Sequence, residues 1–196
     1  MYWGVGIWLH RSSDRWALEL LSSTAEVGLY EVLFQLGFQP LLFISTFIGF
    51  LVSPIIFDKA GDLSDEQRFS NINRLILKFT LLLLGVVMFL FFLANTFHLQ
   101  LFQLFTSTDF YAISYMLPVM ILSGGIFACG ELIGLPLQAK LRTDVLLYPK
   151  LGSAVLGVFV NFFAAFRWGL EGVIYGGIFT AFIFLFSVLY VRQKYT

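Results

Sequence analysis

The chain has 196 residues, 59% of them hydrophobic and only 12% charged, and its twelve basic and twelve acidic side chains cancel to a net charge of 0. A soluble domain carries about twice that share of charge, so the composition excludes an ordinary water-soluble globule and points to lipid as the solvent. Without an excess of Lys and Arg there is no field to attract nucleic acid.

Residues 1–9 open apolar, and then His10, Arg11, Asp14, Arg15 and Glu19 interrupt the run. The apolar stretch precedes the charges, the reverse of a signal peptide, so residues 1–21 read as the later part of a membrane helix whose beginning is missing. Crossing a hydrocarbon core about 30 Å thick takes about 20 helical residues. Uncharged runs at 32–57, 79–97, 110–130 and 172–191 meet that length, and 151–166 meets it together with 145–149 if the stem of Lys150 bends toward the headgroups. The predicted fold is therefore all-α: a single polytopic membrane domain with spans at about 1–21, 28–57, 75–97, 110–137, 145–166 and 170–191, and a loop at 58–74.

Basic residues order these spans, because cytoplasmic connections collect Lys and Arg. Lys59, Arg68, Arg74, Lys78, Lys140, Arg142, Lys150, Arg192 and Lys194 fall at one set of ends, and Arg167 alone falls at the other. This bias predicts a multi-pass protein of the cytoplasmic membrane, with the 58–74 loop and the C-terminus in the cytoplasm. Within the loop, Ser64 and Gln67 have the spacing of a capping box that would start a short helix.

Charges at membrane depth are costly unless they face protein or water. Along the first span His10 and Asp14, Arg11 and Asp14, and Arg15 and Glu19 stand at i,i+3 or i,i+4 spacing, a pattern compatible with a polar cavity wall or with an ion-pair ladder between helices. Glu131 either pairs with an inner Lys or Arg or faces a cavity, and Glu31 lies toward the outer end of its span. Pro40 and Pro118 predict kinks, and Gly130 with Gly134, like Gly172 with Gly176, predicts close helix packing. Cys129 stands alone, so neither an intrachain disulfide nor a zinc cluster is expected. No phosphate-binding glycine loop and no H-E-x-x-H pair is present, so no enzyme is expected either.

Asp14-Arg15-Trp16, then Glu26-Val27-Gly28-Leu29-Tyr30, a long apolar helix closing on Ser53-Pro54, and later Asn161 followed by Gly169-Leu170-Glu171-Gly172 resemble the second half of a polysaccharide flippase of the multidrug/oligosaccharidyl-lipid/polysaccharide exporter superfamily. The resemblance covers essentially the whole chain. It implies that the six spans are helices seven to twelve, one lobe of a MATE-like two-lobe transporter. The first lobe, or a second copy, would then supply the other wall of the cavity. It also implies a lipid-linked glycan of the prenyl pyrophosphate type as substrate, moved by alternating access without ATP hydrolysis, with membrane lipid around the lobe. On the same ground Arg11 and Arg15 would contact the anionic headgroup, and Asp14, Asn161 and Thr180 would form an ion-coupling site. A second carboxylate used by some relatives, one turn after the Asn, is Ala165 here; its loss counts against Na+ coupling, while one carboxylate with neutral oxygens could still respond to H+. Glu19 and Glu131 would line the cavity or act structurally; no other cofactor or metal is expected. Alternatives are a multidrug exporter of the same superfamily, against which the two arginines count, and a truncated or scaffold protein without independent transport.

Overall fold

A computed structural model describes the backbone of residues 2–60, 66–139 and 143–195, and the side chains of 12–54, 70–138 and 145–194. Arg11, His10 and Ser64 of the proposed capping box thus lie outside the described side chains. Every regular element described is helical: α1 (Tyr2–Leu21), α2 (Thr24–Leu33), a π-helical turn (Phe34–Phe38), α3 (Gln39–Ala60), α4 (Glu66–Phe105), a 3-10 stretch (Thr108–Met116), α5 (Leu117–Ala139) and α6 (Thr143–Tyr195). Among the described residues four stretches are long and apolar enough to cross a membrane: Thr24–Pro54, Ser70–Phe105, Thr108–Gln138 and Val145–Lys194. The described chain is all-helical, with the span lengths and composition of a membrane protein.

Local chemistry explains the breaks. Ser23 is the N-cap of α2, its hydroxyl accepting from the Glu26 N–H at 3.2 Å, which satisfies one of the donors a helix start leaves open. Between α2 and α3 the helix widens into the π-turn two residues before Pro40. Proline has no N–H to return to the carbonyl four residues back and its ring presses on that carbonyl, so a widened turn is a low-strain way through. The length of α6 is too great for one crossing, since fifty residues at 1.5 Å each make about 75 Å. Its break comes at Gly169, with φ +58°, a conformation that a Cβ would disfavour.

Close approaches give the helix directions. A Cβ added at Gly172 would meet the Ala164 carbonyl at 2.5 Å, and one at Gly176 would meet Val160 at 3.0 Å, so the two arms of α6 on either side of Gly169 run antiparallel as a hairpin. Gly125 faces Val87 and His98 Nδ1 bonds Ser114 Oγ at 2.8 Å, making α4 and α5 antiparallel. In contrast, Gly37 approaches Met120, Gly124 approaches Phe38 and Gly49 approaches Leu135, so the π-turn and α3 run parallel to α5.

Inside, Leu18, Leu33, Leu41, Ile76, Leu83, Phe102, Met116 and Leu132 are fully or almost fully buried. Outside, Phe43, Phe50, Phe89, Phe159 and Phe166 stand exposed along the helices. So large an apolar surface suits lipid contact, because the hydrocarbon is as apolar as the side chains.

Candidate functional site

The first arm of the site is the α1–α2 hairpin. Antiparallel packing puts Asp14 opposite Tyr30, whose hydroxyl donates to the Asp14 carboxylate. Arg15 lies opposite Glu31: its Nε and Nη2 both reach Glu31 Oε2 at 2.6 Å. Gln35 Nε2 donates to the other oxygen of Glu31 at 3.1 Å, and the Arg15 guanidinium carbon stands 4.7 Å from the Phe34 ring centroid. The hairpin thus builds a charge network across two helices, and Arg15 takes a carboxylate sixteen residues away. Glu19, one helical turn on, accepts from Thr24 Oγ1 at 3.0 Å on the exposed side of the hairpin.

The second arm comes from α6. Asn161 is buried, and its Nδ2 donates to Ser13 Oγ at 3.1 Å, which fixes the amide orientation and leaves Oδ1 pointing elsewhere. That Oδ1 has no hydrogen-bond partner although it is shielded from solvent. An unsatisfied buried carbonyl costs about 1–3 kcal/mol, so its persistence asks for a reason. Asn161 is also among the residues that line a cavity of about 50 Å³, together with Asp14, Tyr30, Ser123 and Thr180 and beside Phe34, Phe38 and Phe127. Thr180 Oγ1 donates to the Gly177 carbonyl at 3.0 Å and keeps acceptor capacity toward the cavity. Asp14, Asn161 and Thr180, expected as a set from the resemblance, therefore line one cavity, with Ser123 added from α5.

This donor set is all oxygen with a single carboxylate. Hard cations prefer such ligands, and the orphaned Asn161 Oδ1 is the kind of acceptor a small cation or a protonated water would satisfy. The residues fit a monovalent cation or a proton carrier. Ala165 is buried and apolar and is not among the residues that line the cavity.

Glu31 lies seven residues into α2 and Gln35 eleven, about 10 and 16 Å along the helix. The side chains of Arg15 and Glu31 are 28% and 37% exposed. Charged groups exposed to hydrocarbon cost several kcal/mol, so this face suits water, headgroups or protein.

Two further contacts support the site. Glu26 accepts from the Leu170 N–H at 2.8 Å, so a carboxylate from α2 caps the second arm of α6 where its helix dipole begins. Glu131 resolves to the pairing alternative: Lys150 Nζ lies 2.8 Å from both of its oxygens, tying α5 to the first arm of α6. Sequence reasoning assigned no role to Ser13, Tyr30, Ser123 or Glu26. For Tyr30 and Glu26 the available signal was their place in the Glu26–Tyr30 motif; Ser123 carried only its position before Gly124 and Gly125. No protein-family model, curated protein or solved structure matches the chain.

Proposed function

We propose that the chain is one lobe of a membrane flippase of the multidrug/oligosaccharidyl-lipid/polysaccharide exporter type, which moves lipid-linked oligosaccharide precursors across the cytoplasmic membrane by alternating access. The observation that carries this reading is the partly exposed Arg15–Glu31–Gln35 network beside the cavity that Asp14, Asn161 and Thr180 line. A carrier needs such a face, because a polar headgroup has to pass through the hydrocarbon layer while its tail stays in lipid. Counted separately, α1, α2 with α3, α4, α5 and the two arms of α6 on either side of Gly169 are six helical segments, a number in keeping with this reading. A second lobe, or a second copy, provides the facing wall.

In this reading Arg15 exchanges partners. Its planar fork of donors suits phosphate oxygens as well as carboxylate, so the pyrophosphate of the substrate competes with Glu31 for the guanidinium, with Arg11 on the turn before. Release of Glu31 loosens the α1–α2 hairpin, and Asp14, one residue earlier, feels the change through the same helix. Proton or cation occupancy at Asp14, Asn161 and Thr180 then biases which state the lobe adopts, which is how a carrier couples without a nucleotide.

Glycan export in cells tests the proposal. Arg15→Ala should abolish export with protein level retained, and Arg11→Ala should impair it. If Arg15 served only to neutralise Glu31, the double variant Arg15→Ala/Glu31→Gln would restore export; that restoration, or unchanged export in Arg15→Ala, overturns the anion-contact role.

A further inference from the structure

One outer face of the bundle, along the π-turn and α3, differs from the others. Thr24–Pro54 is a 31-residue span, and a crossing uses about 20 of its residues, so wherever the hydrocarbon layer falls along it, residues 35–43 lie inside. Gln35 and Gln39 are both exposed within that stretch. Thr46, also exposed, follows two turns after Gln39, about 10 Å along the helix. Phe43 and Phe50, at 69% and 74% exposure, share the face at i+4 and i+11 from Gln39. The same reasoning applied to α4, α5 and the two arms of α6 finds Phe89, Phe159 and Phe182 exposed at mid-span, and no exposed amide or charged side chain there among the described residues.

Lipid suits those faces better than this one. Phe43 and Phe50 alone would be at home in hydrocarbon, but hydrocarbon offers no partner to an amide, and an unmet polar group there costs several kcal/mol. Gln35 Nε2 donates to Glu31 Oε1 at 3.1 Å, which leaves the amide oxygen its acceptor capacity. The Thr46 hydroxyl donates to the Leu42 carbonyl at 2.8 Å, and its oxygen keeps lone pairs for a donor outside the helix. A cover for this face therefore brings donors and acceptors at mid-membrane depth. It needs no net charge, because Arg15 and Glu31, next along the face, neutralise each other.

We propose that the cover is a second copy of this chain, packed through the same face about a two-fold axis along the membrane normal. Copies that insert with one orientation meet at equal depth, so Gln39 faces the second Gln39, with the Phe43 and Phe50 rings flanking the contact. An isologous interface requires each residue on the axis to be its own complement. A primary amide meets that requirement, since it carries donors and an acceptor, and the neutral Arg15–Glu31 pair brings no uncompensated like charges together. Amides bonded across helices stabilise association in lipid, where apolar side chains gain little from meeting one another. The dimer does not depend on the carrier reading; within that reading it makes the second copy the source of the facing wall.

Disulfide trapping in native membranes tests the contact. Cys129 is the one cysteine and is buried. In a Cys129→Ala background, Gln39→Cys should give a covalent dimer of the chain on mild oxidation, and Phe89→Cys, on the apolar face of α4, should not. In liposomes holding chains labelled with donor and acceptor dyes, energy transfer should report the dimer. Gln39→Leu removes both symmetry-related amides and should weaken association about tenfold with helical content retained, while Gln39→Asn, which keeps an amide, should lose less. Absence of energy transfer at every protein density, equal trapping at positions 39 and 89, an adduct of Gln39→Cys with a different protein in place of the dimer, or association unchanged by Gln39→Leu would each overturn the proposal. Export is scored separately: a monomer that exports glycan overturns the dimer alone, and a dimer that exports none overturns the carrier reading alone.

Discussion

Replacing Gly124 by Ala is a sharp test of the packing that holds the site, because the obstacle is backbone. A Cβ there would lie 2.7 Å from Phe38 Cα and 3.1 Å from the Phe38 carbonyl oxygen. Ordinary contact begins near 3.4 Å, so the π-turn and α5 must separate by about 0.7 Å, and no side-chain rotamer can absorb it. Overpacking of this kind costs about 2–3 kcal/mol, against which Ala gains about 1 kcal/mol of helix propensity over Gly. The net is a loss of about 1–2 kcal/mol. At about 2–4 °C per kcal/mol for a chain of this size, the unfolding midpoint in detergent should fall by about 2–8 °C. The matched control is Gly28→Ala, where an added Cβ meets nothing within 4 Å; it should raise the midpoint by about 1–4 °C. Phe38 also lines the polar cavity, so under the proposed function Gly124→Ala should reduce glycan export as well. If both variants shift the midpoint in the same direction, the contact between the π-turn and α5 is not as described.

Other perturbations address single interactions. Tyr30→Phe removes the hydroxyl that Asp14 accepts from and should destabilise the protein by about 1–3 kcal/mol, with Asp14→Asn in the same background recovering part of the loss in thermal unfolding. Glu26→Ala uncaps the second arm of α6 and should cost about 1–2 kcal/mol, visible as faster amide exchange at 170–173, whereas Glu26→Gln should keep most of the protection. Lys150→Ala leaves Glu131 without its ammonium partner and should cost about 1–3 kcal/mol, while Lys150→Ala/Glu131→Gln should recover much of it, since a lone partly buried charge is worse than none; equal midpoints for the single and double variants would refute the pairing.

The helical class and the membrane environment were legible because they depend on additive quantities. Runs such as 79–97 contain no charge to place and too many apolar side chains to hide, so only a helix in lipid satisfies both the backbone and the surface. The reversal between Arg167 and Glu171 was legible as well, since it carries glycine at the position that the structure turns through φ +58°. Pairing within the site was less legible. Along α1, Arg15 has Glu19 at i,i+4, and nothing in that spacing distinguishes it from Glu31 on the next helix; the hairpin geometry, with Asp14 facing Tyr30, makes the choice. Glu131 posed the same ambiguity, settled by the position of Lys150 on α6.

From the chain alone came the solvent, the helices and the small group of polar residues that had to be explained, because scarcity of charge in an apolar sequence makes each charged side chain informative. Tertiary structure decided how those residues meet. Asp14 and Asn161 share a cavity because Ser13 on α1 holds the Asn161 amide from α6, and Glu26 reaches the start of the second α6 arm from 144 residues away in sequence. Helical periodicity specifies which residues share a face, but every face has several possible neighbours. Which neighbour wins is a property of how the helices stack, and that depends on glycines, a proline and a π-turn whose contacts exist only once the bundle has formed.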